Sequence, residues 1–231
     1  MTEAETESRG AVVYRLLRKA IIEQSLLPGT RLPEDTIGDQ FGVSRTIVRS
    51  ALVRLQSEGL VETKPHRGAL VATPSFEEAR QIFEVRHCLE REVIRRLVER
   101  VSMLGLDALD AHVAREAQLK NKDGPGSVRL AGEFHILLAE LAGNAILARY
   151  VAEIVSRCSL ILAIYGRSHS SDCAVDEHRR IIEAVRAADV EAAMAVMAHH
   201  LGAVEERAQL TVRATPDLEV VLARYGREAE A

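Results

Sequence analysis

The feature that most constrains this chain is a change of texture at Thr73-Pro74. Before it, apolar runs are short and repeatedly broken by Pro and Gly. After it, apolar residues recur at three- and four-residue spacing in segment after segment, with only brief breaks between them. Such spacing marks amphipathic helices, and a series of them buries its stripes only by packing together as a bundle. Residues 74–231 are therefore expected to form an antiparallel helical bundle, and residues 1–73 a separate small domain. A length of 231 residues is enough for two such units, each with its own core. Aromatic residues make up only 3% of the chain and there is no Trp, which fits a helical rather than a sheet-built core. Expected helices in the second region run from about Phe76 to Ser102, Leu106 to Lys120, Val128 to Ala142, Ala145 to Tyr165, Asp172 to Ala188 and Val190 to Thr211. A short final helix is expected over Asp217–Tyr225. Ser75 with Glu78 makes a capping box for the first of these helices, and Asn121 to Gly126 reads as the clearest loop.

The first region has a different plan. Val12, Val13, Leu16, Leu17, Ala20 and Ile21 give a helix from about Gly10 to Ser25, ended by the turn Leu27-Pro28-Gly29-Thr30. A short helix begins near Pro33, carries Glu34 and Asp35 in its first turn, and stops at Phe41-Gly42. Ser44 is expected to cap a third helix, which buries Ile47, Val48, Ala51, Leu52 and Leu55 and turns Arg45, Thr46, Arg49 and Ser50 outward. LVETK and ALVA then flank Pro65-His66-Arg67-Gly68 as a hairpin. Helix, three-residue turn, helix, hairpin is the order of a winged helix-turn-helix. The overall expectation is a mainly α protein with an N-terminal winged helix-turn-helix.

Charge supports this division. The whole chain carries a net charge of -4 and is no polycation. Yet Ser44 to Ala72 holds five basic residues (Arg45, Arg49, Arg54, Lys64, Arg67) against two acids (Glu58, Glu62). A local basic patch counts for more in nucleic-acid binding than the global sum. Three cysteines, odd in number and with no CxxC, are expected to be reduced thiols. No apolar run reaches the ~18 residues that a membrane span needs. MTEAETESRG is polar and acidic, unlike a secretion signal, so the expected location is the cytoplasm.

An isolated pair of arginines more often just solvates a helix face. Here turn, cap, buried stripe and hairpin agree, which turns the reading toward DNA. Arg45 and Arg49 stand four residues apart on one exposed face, and Arg suits bidentate contact with guanine in the major groove. Ser44 and Thr46 suit phosphate, and His66, Arg67 and Gly68 form a wing tip able to reach the minor groove or backbone. The stretch PGTRLPEDTIGDQFGVSRTIVRSALVRLQSEGLVETKPHRGALV resembles the DNA-binding domain of the GntR family of bacterial transcriptional regulators. The resemblance implies that Arg45 and Arg49 read guanines, with Thr46 on the backbone and the His66–Gly68 tip beside them. Two departures stand out. Ile47 replaces a Pro common in the family, at a position that faces inward. Asp35 stands where some members place a DNA-contacting Arg.

Three later segments, FEVRHCLEREVIRRLVER, EFHILLAELAGNAIL and DEHRRIIEAVRAADVEAAMAVMAHHL, resemble the FCD ligand-binding domain of the FadR subfamily. Many such domains hold a divalent metal. Residue by residue, the resemblance implies His135, His178 and His200 as ligands, with Ala131 at the fourth position, where Asp or Asn is expected. Three neutral imidazoles can hold Zn, Ni or Mn and leave positions for water or a ligand carboxylate. Glu133 points off the His135 face and is not expected to substitute. His87 and His199 are expected to be partly buried hydrogen-bonding residues. Arg86 and Glu90, four residues apart, read either as a plain helical ion pair or as an effector site in which Arg86 clamps a carboxylate.

These readings combine into a ligand-responsive transcriptional regulator with repression the commoner mode. It is expected to act as a homodimer on a near-palindromic DNA operator and to bind a small effector, an organic acid, through Arg86, Glu90, His135, His178 and His200. Two alternatives belong to other classes. One is a metal-dependent hydrolytic enzyme tethered to DNA, for which no HExxH or comparable motif is present. The other is an architectural DNA-binding protein without an effector.

Overall fold

Ser8 opens the first helix, its hydroxyl accepting a hydrogen bond from the amide of Ala11. This helix, α1 (Arg9–Ile22), buries Val13, Leu16, Leu17, Ala20 and Ile21 along one stripe. The structure, a computed structural model, describes residues 8–119, 124–166 and 172–208. These fall into two units that meet in sequence at Thr73-Pro74.

In the first unit, α2 (Glu34–Phe41) and α3 (Arg45–Ser57) complete a three-helix core with α1. Gly42 ends α2 in the left-handed conformation, at φ 61°, where a side chain would be strained. Gly38 is needed for a different reason. A Cβ there would come within 2.9 Å of the carbonyl oxygen of Val43, so only Gly lets the turn close on α2. Val48, Ala51, Leu52 and Leu55 are buried, as their spacing predicts. Ile47 is half-buried, and a Cβ on Gly10 would lie 3.6 Å from its Cγ2, so it packs toward α1.

The hairpin β1 (Val61–Lys64) and β2 (Gly68–Val71) is antiparallel, with Val61 opposite Val71 and Lys64 opposite Gly68. The segment before α2 lies along its outer edge. Gly29 and Leu32 donate to the carbonyls of Val71 and Ala69, and Val71 donates back to Thr30. Tyr14, Arg18 and Glu58 tie α1 to the end of α3: Tyr14 Oη donates to Glu58, as does Arg18 Nε at 3.1 Å.

The second unit contains α4 (Phe76–Arg100), α5 (Met103–Leu119), α6 (Gly124–Leu141), α7 (Ala145–Tyr165), α8 (Asp172–Arg186) and α9 (Val190–Arg207). Ser75 caps α4 by accepting from the amide of Glu78. The expected return bond of a capping box is replaced, because the Glu78 carboxylate accepts from Arg157 of α7 instead. α4 packs against α7, α9 and α6, while α5 packs against α6 and α8. The core joins Val93, Ile94 and Leu97 of α4 to Leu109, Phe134, Leu138, Val151, Ile181, Ile182 and Met197.

Two helix starts differ from expectation. α5 begins at Met103 rather than Leu106, because Ser102, expected to end α4, accepts from the amide of Gly105 and starts the next helix. α6 begins at Gly124, so Gly124, Pro125 and Gly126 are helical rather than loop. Pro is tolerated in a first turn, whose N–H groups have no partner within the helix. The rest of that loop (121–123), the end of the last bundle helix beyond 208 and the expected helix over 217–225 lie outside the described residues. Among the described residues no helix is long and apolar enough to cross a membrane.

Candidate nucleic-acid interface and histidine centre

The outer face of α3 carries Arg45, Thr46 and Arg49, all exposed, immediately after Ser44. Ser44 has the extended backbone of an N-cap, but its side chain makes no cap bond, contrary to expectation. Both arginines are engaged by α2. Arg49 donates to Glu34 through Nε at 2.8 Å and through Nη2 at 2.6 Å. Arg45 Nε pairs with Asp35. The Glu34 carboxyl is held below its usual range by the hydrogen bond from Arg49. Both acids stand in the first turn of α2, as expected, but their pairing with α3 was missed in the sequence. At the hairpin tip His66, Arg67 and Gly68 are exposed, and the Arg67 amide donates to Lys64 at 3.1 Å. His66 and Gly68 both have positive φ, 61° and 72°, which makes the turn tight.

The second constellation lies inside the bundle. His135 of α6, His178 of α8 and His200 of α9 are all buried. One ligand nitrogen of each lies within 4.8 Å of the others. Each Nδ1 faces a carboxylate: His135 meets Glu90 at 2.5 Å, His178 meets Glu116 at 2.8 Å, and His200 meets Glu177 at 2.6 Å. An ionised carboxylate accepts only, so it fixes the tautomer in which Nδ1 carries the hydrogen. The three Nε2 atoms are then lone-pair acceptors. Those of His135 and His200 lie 3.2 Å apart, and that of His178 is buried with no hydrogen-bond partner.

Protonation of His135 or His200 does not relieve this crowding near neutral pH. Burial holds His135 down to about 3, outweighing the pull of Glu90, and holds His200 down to about 4 despite Glu177. The carboxylates stay ionised. Burial alone would raise Glu90, but His135 and Arg86 hold it well below its usual range. Glu116 is lowered against burial by His112 and His178, and Glu177 against burial by His200 and Arg207.

The environment of the centre continues outward in the same way. Arg86 is 4% exposed, and its Nε donates to the second oxygen of Glu90 at 2.6 Å. The buried Cys158 also interacts with this guanidinium, and Arg86, Glu90 and His135 form one continuous chain. Glu116 approaches His112 at 3.2 Å, and Arg207 approaches Glu177 at 3.5 Å. Phe134 stacks on the His178 ring, with centroids 4.0 Å apart. Ala131 offers no donor atom. Glu133, two residues from both Ala131 and His135 and so off their face, instead pairs with Arg129 at 2.8 Å.

Glu116 and Glu177 were missed in the sequence. Glu177 directly precedes His178 in the chain, but it serves His200 on the neighbouring helix. His199 is exposed rather than partly buried, because it directly precedes the buried His200 and so points to a different side of α9. His87 is half-buried and lies 3.6 Å from Glu205.

Comparison with known proteins agrees with this architecture. Residues 10–71 match the family described as bacterial regulatory proteins, gntR family, and residues 81–203 match the FCD domain. The chain is 27% identical over 192 residues to the uncharacterized HTH-type transcriptional regulator YdhC of Bacillus subtilis, covering 80% of this chain and 85% of that protein. It is 24% identical over 196 residues to the HTH-type transcriptional repressor RspR of Escherichia coli, covering 84% and 86%. The solved structure of E. coli McbR/YncC superposes with a TM-score of 0.77 at 21% identity, covering 86% of this chain and 95% of that one. The gntR family is one of regulatory proteins, and YdhC and RspR are named as transcriptional regulators, so the comparisons point to a regulator and give no support to the tethered hydrolase. A DNA-reading winged helix-turn-helix followed by an FCD helical bundle makes this chain a GntR-family transcriptional regulator.

Proposed function

We propose that this regulator is a homodimeric repressor whose bundle holds a divalent metal on His135, His178 and His200 and releases a near-palindromic operator on binding a small carboxylate. The observation that carries this reading is the convergence of three buried Nε2 lone pairs, each with its Nδ1 partnered by a carboxylate. Such lone pairs repel one another, and His178 Nε2 lacks any partner that would offset its burial. A cation between them answers both problems. The 3.2 Å between Nε2 of His135 and His200 is close to the roughly 3.3 Å expected of two nitrogens on one tetrahedral zinc.

Zn, Ni or Mn bound there supplies a Lewis-acidic centre with coordination positions that the protein does not fill. The protein's own residues do the rest. Glu90, Glu116 and Glu177 orient the imidazoles and keep Nε2 deprotonated. Arg86 holds Glu90 in place, and Phe134 backs the His178 ring. Arg86 and Glu90 thus act on the site through His135. Ala131, at the position where the resemblance implies a fourth ligand, has no donor atom, which favours an effector that brings its own carboxylate.

On DNA, Arg45 and Arg49 read guanines, Ser44 and Thr46 meet phosphate, and the His66–Gly68 tip meets the adjacent groove or backbone. Repression is favoured by the relative RspR, which is named as a repressor. The effector alters operator affinity only as far as it binds the DNA-competent and DNA-incompetent states differently.

The test is operator binding by metal-loaded full-length protein, followed by fluorescence anisotropy against a panel of small mono- and dicarboxylates. The reading predicts that at least one carboxylate weakens binding, and that this response disappears after metal removal. An operator affinity indifferent to the whole panel and to the metal would favour the effector-free architectural role.

A further inference from the structure

Two acids on α2 hold the two arginines that face outward from α3. An exposed ion pair contributes little to stability, so its effect is better sought in geometry. Arg80 and Arg95 make similar forks, but with acids on their own helix, Glu77 and Glu92. The Arg49–Glu34 pair differs because it bridges two helices of the reading head. It is also asymmetric: the Arg49 side chain is 66% exposed, whereas Glu34 is 27% exposed and the better fixed of the two.

The atoms used decide what remains available. A guanidinium has five N–H groups, and Glu34 takes one on Nε and one on Nη2. The side-on edge is thereby occupied. The end-on edge keeps one N–H on Nη1 and one on Nη2, parallel to each other. That fork still fits O6 and N7 of guanine. A long, freely rotating Arg reaches several bases and phosphates; one held along its side-on edge reaches fewer.

We propose that Glu34 is a specificity-determining residue that positions Arg49 for guanine. Its carboxylate fixes the guanidinium plane, leaves the end-on fork for the base, and opposes contact with phosphate. Asp35 makes the parallel contact to Arg45 through Nε alone. The proposal rests on the reading of Arg49 as a base-contacting residue.

The experiment selects duplexes from a randomised library with full-length wild-type protein, Glu34→Gln, Glu34→Asp, Arg49→Ala and the Glu34→Gln/Arg49→Ala double variant. Affinities for the selected duplex and for a mixed-sequence duplex of equal length are then measured across a KCl series. Glu34→Gln should lower the ratio of selected to mixed affinity by about tenfold, partly by raising mixed-sequence binding, and relax one guanine position. Glu34→Asp keeps the charge but withdraws the carboxylate, and should also lower the ratio. In the Arg49→Ala background, Glu34→Gln should leave the ratio unchanged.

Glu34→Gln raising both affinities by one factor, with Glu34→Asp like wild type, would reduce Glu34 to a screening charge and overturn the proposal. A Glu34→Gln effect that persists without Arg49 would overturn it as well. Unchanged base preference in Arg49→Ala would instead remove the underlying reading of Arg49, a result recognisable without any Glu34 variant.

Discussion

Nε2 of His135 and Nε2 of His200 face each other at 3.2 Å, and neither has a hydrogen to offer the other. The cause lies one bond further out, where Glu90 and Glu177 hold the hydrogens on Nδ1. Two neutral acceptors in a buried space repel, and nearby His178 Nε2 adds a third. A cation-binding centre is the arrangement in which this geometry is favourable.

The carboxylate behind each imidazole gives a first prediction. Glu116→Gln can place an amide N–H against His178 Nδ1 and turn the ring to the other tautomer. Zinc affinity should fall by ~10–100-fold with all three histidines intact. Competition against a chromophoric chelator measures it, and wild-type affinity in the variant would refute the tautomer argument.

Arg86 and Glu90 are both buried, with Nε and Oε1 2.6 Å apart. Glu90→Ala leaves a buried cation without its partner and should cost about 3–5 kcal/mol of stability. Replacing both residues by apolar ones of similar volume should cost much less. Urea denaturation of metal-free protein separates the two cases. A double variant as destabilised as Glu90→Ala would contradict the reading that the unpaired buried guanidinium of Arg86 carries the loss.

On the DNA side, Arg49→Ala should weaken operator binding by ~1–3 kcal/mol and relax the preference at one base position. Anisotropy with operator and single-base variants tests it. Undiminished affinity would remove α3 from the groove.

Tyr14 supplies a pH prediction. Burial, reinforced by the hydrogen bond to Glu58, raises its phenol to about 12. Between the unfolded value near 10 and the folded value, the unfolded chain has lost a proton that the folded one keeps. This contribution is therefore complete below about pH 10 and is lost as pH rises toward 12. Phenolate absorbance should show one late-titrating group that Tyr14→Phe removes. A Tyr14→Phe titration identical to wild type would contradict the assignment.

Much of this was legible in the sequence because it is local. The apolar periodicity placed α7 at Ala145–Tyr165, where the structure has it, and the Asn144 side chain caps that helix through the amides of Ile146 and Leu147. The turn at Gly42 and the pairing across Pro65–Arg67 follow from the same short-range chemistry. The start of α6 did not, because Gly124-Pro125-Gly126 suits a loop and a helix's first turn equally.

The support of the site was harder to see, because it is built across helices. Glu90 continues the buried stripe of Phe83, Arg86, Val93 and Leu97, and Glu116 that of Leu109, His112 and Val113. An acid on an apolar stripe was the available signal. Which histidine each acid serves depends on packing between α4 and α6, α5 and α8, and α8 and α9, and no spacing within one helix encodes that. The same holds for Glu34 and Arg49, which lie fifteen residues apart on different helices.

The most direct test of the central claim is metal content by elemental mass spectrometry on protein made without a histidine tag, beside a His135→Ala/His178→Ala control. The account predicts about one equivalent of Zn, Ni or Mn per chain, absent from the control. No bound metal, even after reloading and a gentle wash, would contradict it and leave three buried histidines whose lone pairs must be met in another way.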